Sequence, residues 1–346
     1  MVNGRAAAAE AARNFGEPLL SVQNLTVTYE RVGQTVVAVD DVSFDIWPGE
    51  IFGLAGESGC GKSTVASAIM RLLKSSGRVS SGSIWFKGAN VLAMNPEELR
   101  QFRWQETAMV FQSAMNSLNP VMTVGAQIAD VLWTHKGIRR QEAGIRGLEL
   151  LELVGIDPSR IGSYPHQLSG GMRQRAVIAI ALALNPALLI MDEPTTALDV
   201  VVQQEILQNI QNLKQTLNFA VLFITHDVSL MLQLTSQMAV MYAGKLVEVS
   251  ATGNMLDGAL HPYSQALLAA FPPLTGPRLP LVGIPDAPPN MAHPPSGCRF
   301  HPRCPFAFDR CREEVPKLIE SEHQHAAACH LVGDVAGSPA SIGGSR

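Results

Sequence analysis

Three glycines, a lysine and two adjacent hydroxyls lie close together in Gly56-Glu57-Ser58-Gly59-Cys60-Gly61-Lys62-Ser63-Thr64. The spacing fits G-x-x-x-x-G-K-[ST], a loop whose backbone N–H groups cradle phosphates. Gly56, Gly59 and Gly61 let the chain curl so that successive N–H groups point inward, with Ser58 and Cys60 on the same curl. Lys62 can then reach the β- and γ-phosphates of a nucleotide, Ser63 offers a hydroxyl to Mg²⁺, and Thr64 opens a helix whose N-terminus favours anions. A second candidate is Leu168-Ser169-Gly170-Gly171-Met172-Arg173-Gln174-Arg175, a Ser-Gly-Gly turn opening another helix. Helix N-termini suit phosphate. Two such elements roughly a hundred residues apart point to one nucleotide clamped between two copies of the fold.

Carboxylates come next. The apolar run 187–191 ends in Asp192-Glu193, and strand ends of this kind are where α/β sheets place their chemistry. Asp192 is expected to hold Mg²⁺ through water, and Glu193 to orient and polarise an attacking water. A solvated acidic turn is the plainer reading of that pair taken alone. The apolar run 220–224 ends in Thr225-His226-Asp227, which puts His226 at the same sheet edge, within reach of a γ-phosphate. A lone histidine at a strand end is ordinarily structural, so His226 takes its role from its neighbours.

These residues need elements to position them. Ile51-Phe52-Gly53-Leu54-Ala55 reads as a buried parallel strand entering the first loop, and residues 64–73 as the helix leaving it. Residues 18–50 suggest β-rich structure. Residues 112–165 look mostly helical, with Leu148, Leu151 and Leu153 at helical intervals and Gly155 as a stop. The helix led by Ser169 is expected to end near Asn185-Pro186.

Taken together, the motifs resemble the ATPase subunit of an ABC transporter over residues 18–255. The resemblance implies an α/β fold: a P-loop ATPase core with an N-terminal β-rich part and a helical subdomain at about 112–165. It makes 56–64 the Walker A motif, 188–193 Walker B, 168–174 the ABC signature, Ala197-Leu198-Asp199 the D-loop and His226 the switch histidine. Gln112 stands where the family has a glutamine sensing Mg²⁺ and the γ-phosphate. The implied catalytic set is Lys62, Gln112, Glu193 and His226, with ATP as nucleotide and Mg²⁺ on Ser63, Gln112 and Asp192. Tyr29 matches the family's adenine-stacking aromatic, although it also fits an ordinary strand aromatic. In each site one chain would supply these groups, and its partner Ser169, Gly170, Gly171 and Gln174.

The resemblance narrows further. Residues 111–120, 261–268 and 284–311 are similar to oligopeptide, dipeptide and nickel importers. It therefore implies import of peptides or related small solutes, two membrane permease subunits, and an extracytoplasmic substrate-binding protein. The second ATPase subunit would be a related but different chain, with a homodimer as the alternative. The expected place is the cytoplasmic face of the membrane, peripherally attached.

Composition bounds the rest. The chain has 346 residues, 47% of them hydrophobic, and a net charge of −4. No strongly basic field points to nucleic acid. No apolar run reaches the ~18 residues that span a bilayer, and residues 1–10 lack the longer apolar stretch of a signal peptide. No heptad run suggests a DNA-maintenance ATPase, and no repeat places two cores in one chain. An exporter ATPase and a nucleotide-gated binding module remain as rival classes. The expected organisation is a tail at 1–17, the ATPase at 18–255, a small irregular extension at 256–332 and a disordered tail at 333–346.

Cys298, Cys304, Cys311 and Cys329 fall within that extension, spaced C-x5-C-x6-C-x17-C, while Cys60 stands apart. Clustered cysteines in a cytoplasmic protein suggest a metal. The spacing is wider than the close pairs of structural zinc and suits four thiolates around a 4Fe–4S cluster. Some importers similar to this chain carry such a cluster in the same extension. Zinc, sharing His301, His323, His325 or His330, and free structural thiols are the alternatives.

Overall fold

The computed structural model describes residues 16–31, 33–112, 116–196, 198–270, 283–321 and 325–333. The expected terminal tails, Ser113, Ala197 and His323 therefore fall wholly or largely outside the described residues, as does most of the Pro-rich run after 270. Among the described residues the strands form a four-stranded and an eight-stranded sheet.

Period-two alternation builds the smaller sheet. Leu20–Arg31 (β1) and Gln34–Ile46 (β2) pair antiparallel, with Tyr29 opposite Val36. Leu20, Val22, Leu25 and Val27 of β1 and Val39, Val42, Phe44 and Ile46 of β2 are buried. Ile51–Ala55 (β3) is buried throughout and leads through the glycine loop into Lys62–Ile69 (α1). Gly77–Phe86 (β4) then pairs antiparallel with β1, and Ala89–Asn90 (β5) completes the sheet. The helix expected to reach residue 73 stops at Ile69 for a tertiary reason. Arg103 donates to the carbonyls of Met70 at 2.9 Å and Arg71 at 2.6 Å, and Arg71 turns left-handed with φ 50°.

Pro96–Gln101 (α2) starts from an Asn95–Glu98 capping box and leads towards Thr107–Val110 (β6). The helical unit follows. Val124–Lys136 (α3) is capped by the Thr123 hydroxyl and ends at Gly137, which is left-handed with φ 64°. Arg140–Leu153 (α4) packs against it around Ile128, Leu132, Leu150 and Leu151. Gly170–Ala181 (α5) returns towards the sheet and ends four residues before Asn185. No helix among the described residues is long and apolar enough to cross a membrane.

Leu188–Asp192 (β7) and Ala220–Thr225 (β8), joined by Val200–Leu217 (α6), are buried at every residue. Val228–Leu234 (α7) leads to Gln237–Tyr242 (β9), again wholly buried. Strands covered on both faces need no alternation. The order β9-β3-β8-β7-β6 is parallel throughout. It places the ends of β3, β7 and β8 side by side.

The C-terminal part departs most from expectation. Lys245–Ala251 (β10) runs antiparallel to β9, and Thr252–Gly258 (α8) follows directly, so a boundary at 256 falls inside a helix. Pro262–Ala269 (α9) is capped by His261, whose Nδ1 accepts the Tyr263 N–H at 3.0 Å. Burial lowers the His261 pKa to about 4, which leaves the ring neutral and able to accept. Asp309–Glu313 (α10) precedes a hairpin of Ile319–Ser321 (β11) and His325–Ala327 (β12), and His330–Gly333 (α11) follows. β12 pairs with β10 and so continues the large sheet. Phe300 is buried against Tyr242, Tyr263 and His261. The extension shares the ATPase core, as its own few apolar side chains require.

Candidate nucleotide site

A cleft of about 570 Å³ is lined by Ser58, Gly59, Gly61, Lys62, Ser63 and Thr64, by Tyr29, Val36 and Ala38, by Gln112 and Glu193, and by Met291. That size is ordinary for a small-molecule site. The loop is wound too tightly for side chains at two positions. Gly56 has φ 146°, and a Cβ there would lie 2.3 Å from the Met241 carbonyl oxygen. Gly61 has φ 111°, and its Cβ would lie 2.6 Å from the Ala38 oxygen. Lys62 is buried, and its Nζ donates to the carbonyls of Gly56 at 2.7 Å and Glu57 at 2.9 Å. Cys60 is buried beside it, with burial pushing its thiol pKa up, so it packs the loop from within.

The end of β7 supplies two carboxylates in different states. Asp192 is 4% exposed and its Oδ1 has no hydrogen-bond partner. Burial pushes its pKa up, against a hydrogen bond with Ser63. An orphaned, buried carboxylate oxygen beside a serine hydroxyl is a donor set that fits Mg²⁺, which takes oxygen ligands. Glu193 stands next to it with φ 48°, a backbone conformation uncommon for glutamate. Its N–H donates to the Ile224 carbonyl at 2.9 Å, which ties the turn to β8.

Three side chains converge on the Glu193 carboxylate. Gln112 Nε2 donates to Oε2 at 2.9 Å, and Thr196 Oγ1 to the same oxygen at 3.1 Å. His226 Nδ1 lies 3.1 Å from Oε1. The structure thus gathers Gln112, Glu193 and His226 from three strand ends. Thr196 went unnoticed in the sequence; a hydroxyl three residues after the carboxylate, across one turn, was the available signal.

The second glycine turn lies elsewhere. Ser169 is exposed and caps α5, its Oγ accepting the Met172 N–H at 3.3 Å. Neither Ser169, Gly170 nor Gly171 lines the cleft. Gln174, expected with them beside a partner's nucleotide, is 2% exposed with an unpartnered Nε2, and it does not line its own chain's cleft either. It sits one helical turn into α5, on the face packed towards the core. Asp199 caps α6 through Val202 N–H at 3.0 Å.

Comparison with known proteins agrees with this geometry. Residues 39–196 match the family model described as ABC transporter, and residues 247–311 the one described as oligopeptide/dipeptide transporter, C-terminal region. A probable peptide ABC transporter ATP-binding protein of Sinorhizobium fredii is 44% identical over 321 residues, covering 92% of this chain and 96% of the relative. The dipeptide transport ATP-binding protein DppD of Escherichia coli is 42% identical, covering 93% and 99%.

This chain belongs to the oligopeptide/dipeptide ABC transporter ATP-binding proteins.

A solved ATP-binding cassette, dimeric and bound to ADP and Pi after hydrolysis, superposes with TM-score 0.61 at 28% identity, covering 67% of this chain and 98% of its own. Four of this ABC ATPase's five cysteines lie in its C-terminal part. Cys298, Cys304, Cys311 and Cys329 line one small enclosed cavity with His261, His301 and His330. Burial pushes the Cys298 thiol up to about 11 and raises those of Cys304 and Cys329. Among the described residues, no group of three or more His, Cys, Asp or Glu side chains is arranged to hold a metal ion. The expected 4Fe–4S and zinc sites are therefore not met by a ready-made ligand set. Three of the histidines weighed for zinc have hydrogen-bond partners of their own. His325 is paired with Glu248, His330 lies 3.0 Å from the Glu314 carbonyl, and His301 lies 2.9 Å from that of Cys298.

Proposed function

We propose that this ABC ATPase hydrolyses ATP to drive import of peptides or related small solutes through a membrane permease. The observation that carries the reading is the Glu193 carboxylate, held by Gln112, Thr196 and His226 beside a glycine loop and a buried lysine. Phosphoryl transfer asks mainly for positioning and charge stabilisation. Lys62 supplies a cation to the phosphates, the loop N–H groups orient them, and Tyr29 offers a ring to the base. Glu193 accepts a proton from the attacking water, and His226 holds its carboxylate towards the γ-phosphate. Ser63 and Asp192, with Gln112 nearby, would hold Mg²⁺, which neutralises charge on the phosphate oxygens.

Ser169, Gly170 and Gly171 are absent from the cleft of their own chain and exposed or half-exposed, as a turn serving a partner's nucleotide must be. Two ATPase subunits, this one and a related chain, would close on ATP and part after hydrolysis. ATP favours closure by its extra contacts in the closed state. The helical unit carries an apolar groove of about 600 Å³ that includes Met122, Trp133, Leu148 and Ile161. Trp133 is 63% exposed there, and Val121, just before Met122 in sequence, is 79% exposed. That surface suits a cytoplasmic helix of one of two permease subunits, fed from outside by a substrate-binding protein.

The four cysteines are assigned to a 4Fe–4S cluster. Support comes from the single cavity they share; iron would bind them as thiolates, displacing the protons that burial favours. Reconstitution of the purified transporter in vesicles tests the main reading. Peptide-stimulated ATP turnover that depends on the permease supports it; turnover indifferent to permease and peptide defeats it.

A further inference from the structure

Glu57 joins the nucleotide loop to the cysteine-bearing extension. Every polar group of this residue is held by a different element. Its N–H donates to the Tyr263 hydroxyl at 3.0 Å. Its carbonyl accepts from Lys62 Nζ at 2.9 Å. Its carboxylate takes the Arg303 guanidinium in a fork, Nη1 to Oε2 at 2.8 Å and Nη2 to Oε1 at 3.1 Å.

Arg303 is as fully engaged as Glu57. Nε donates to the Pro285 carbonyl at 2.7 Å, Nη1 also to the Tyr242 hydroxyl at 3.2 Å, and Nη2 also to the Asp286 carbonyl at 3.0 Å. All five N–H donors are thereby used, on a residue 7% exposed. A planar fork on a carboxylate fixes direction as well as distance. An exposed ion pair would do little, but removing one partner of a buried pair strands the other charge.

The location matters as much as the geometry. Arg303 closes the turn His301–Arg303, immediately before Cys304, with its N–H on the Phe300 carbonyl at 2.9 Å. The same segment of the extension sends Arg299 to Asp40 on β2 and to the Ala243 carbonyl. Further up the chain, Met291 lines the cleft itself. The extension thus reaches the nucleotide site from several directions, and at Glu57 it holds the phosphate loop.

We propose that Arg303 is a positioning residue for the phosphate loop. Through Glu57 it holds residues 56–62 in the conformation that receives a nucleoside triphosphate, so that nucleotide affinity depends on the extension. The proposal rests on the reading of that loop as the phosphate site. Arg303 touches no phosphate itself; its effect is on binding, and turnover of the bound nucleotide should change little.

The test uses the full chain with its permease and MgATP as probe. Arg303→Met is expected to raise the KM for MgATP about tenfold, the scale of one charge-assisted hydrogen-bond pair, with kcat within about twofold of wild type. Arg303→Lys should recover part of the affinity. Glu57→Gln should raise KM in the same way, and the double variant should add little more, because the two residues act as one unit. Amides 57–62 should exchange hydrogen faster in nucleotide-free Arg303→Met. Arg312→Met, an exposed arginine of the same extension, should leave KM at the wild-type value. If Arg303→Met does not fold, Glu57→Gln gives the same reading from the loop side. An unchanged KM in Glu57→Gln or a folded Arg303→Met, while Lys62→Ala still loses MgATP, overturns the positioning role alone. If Lys62→Ala also binds normally, the phosphate-loop reading falls and takes the proposal with it.

Discussion

His226 Nδ1 lies 3.1 Å from Glu193 Oε1, although the two residues stand 33 positions apart. Parallel pairing of β7 with β8 sets Asp192 opposite Ile224 and so brings the two strand ends together. Glu193 adds a left-handed backbone turn that aims its carboxylate along that edge. A strained conformation of this kind persists only where its surroundings enforce it, and here Ile224, Gln112, Thr196 and His226 do so.

Glu193→Gln should leave MgATP binding near wild type and lower turnover by about a hundredfold to ten-thousandfold, the usual worth of a general base. Stopped-time phosphate release in the reconstituted transporter measures this. Turnover at the wild-type rate would remove Glu193 from the chemistry.

Asp192 carries a pH signature. Burial raises its pKa in the folded state. A carboxylate raised in this way costs stability at pH values above its folded pKa, and the cost disappears as pH falls below its unfolded pKa. Nucleotide-free Asp192→Asn should therefore melt higher than wild type at neutral pH, with the gain shrinking in acid. Mg²⁺-dependent nucleotide binding should move the opposite way and be lost in the variant. Equal melting temperatures across the pH range would mean that Asp192 is not strained by burial.

Ser169→Arg should spare ATP binding by the isolated chain and cut hydrolysis in the assembled transporter by at least about tenfold, because a bulky side chain at an exposed helix start blocks a partner's phosphate without entering its own cleft. Loss of binding in the isolated chain would place the turn in its own pocket instead.

Asn116 lies just before the helical unit that bears the apolar groove. A photo-cross-linker there should capture a permease subunit in the intact complex. Capture of the other ATPase alone would relocate the coupling surface.

Anaerobically purified protein should be brown and hold iron and acid-labile sulfide in equal amounts. Cys298→Ser or Cys311→Ser should bleach it. Colourless protein with four titratable thiols besides Cys60 would refute the cluster.

Legibility followed locality. β3, β7 and β8 could be placed to within a residue from sequence, because strands buried on both faces appear as unbroken apolar runs. The glycine loop and its helix were equally plain. The end of α1 was not, since Arg103 stops it from a distance in sequence. The extension was the least legible part. Its prolines marked the irregular chain found from residue 283, but α8, α9 and β12 on either side draw their order from β10 and the aromatic cluster around Phe300. That Gln174 is buried in the single chain was not legible, because spacing along a helix does not reveal which face the core will claim.

The pairing of β12 with β10 also fixes an order of events during synthesis. Glu248 is fully buried, and it accepts from Leu260 N–H, His261 N–H and His325. The last of these donors emerges from the ribosome some eighty residues after β10. Until then the large sheet presents a raw edge with a partly satisfied carboxylate on it, the kind of edge that invites a wrong strand. Closing that edge therefore waits on residues made long after the strand they cover. A transcript cut short before residue 325 would yield a cassette with its nucleotide loop already written and its sheet still open to neighbours.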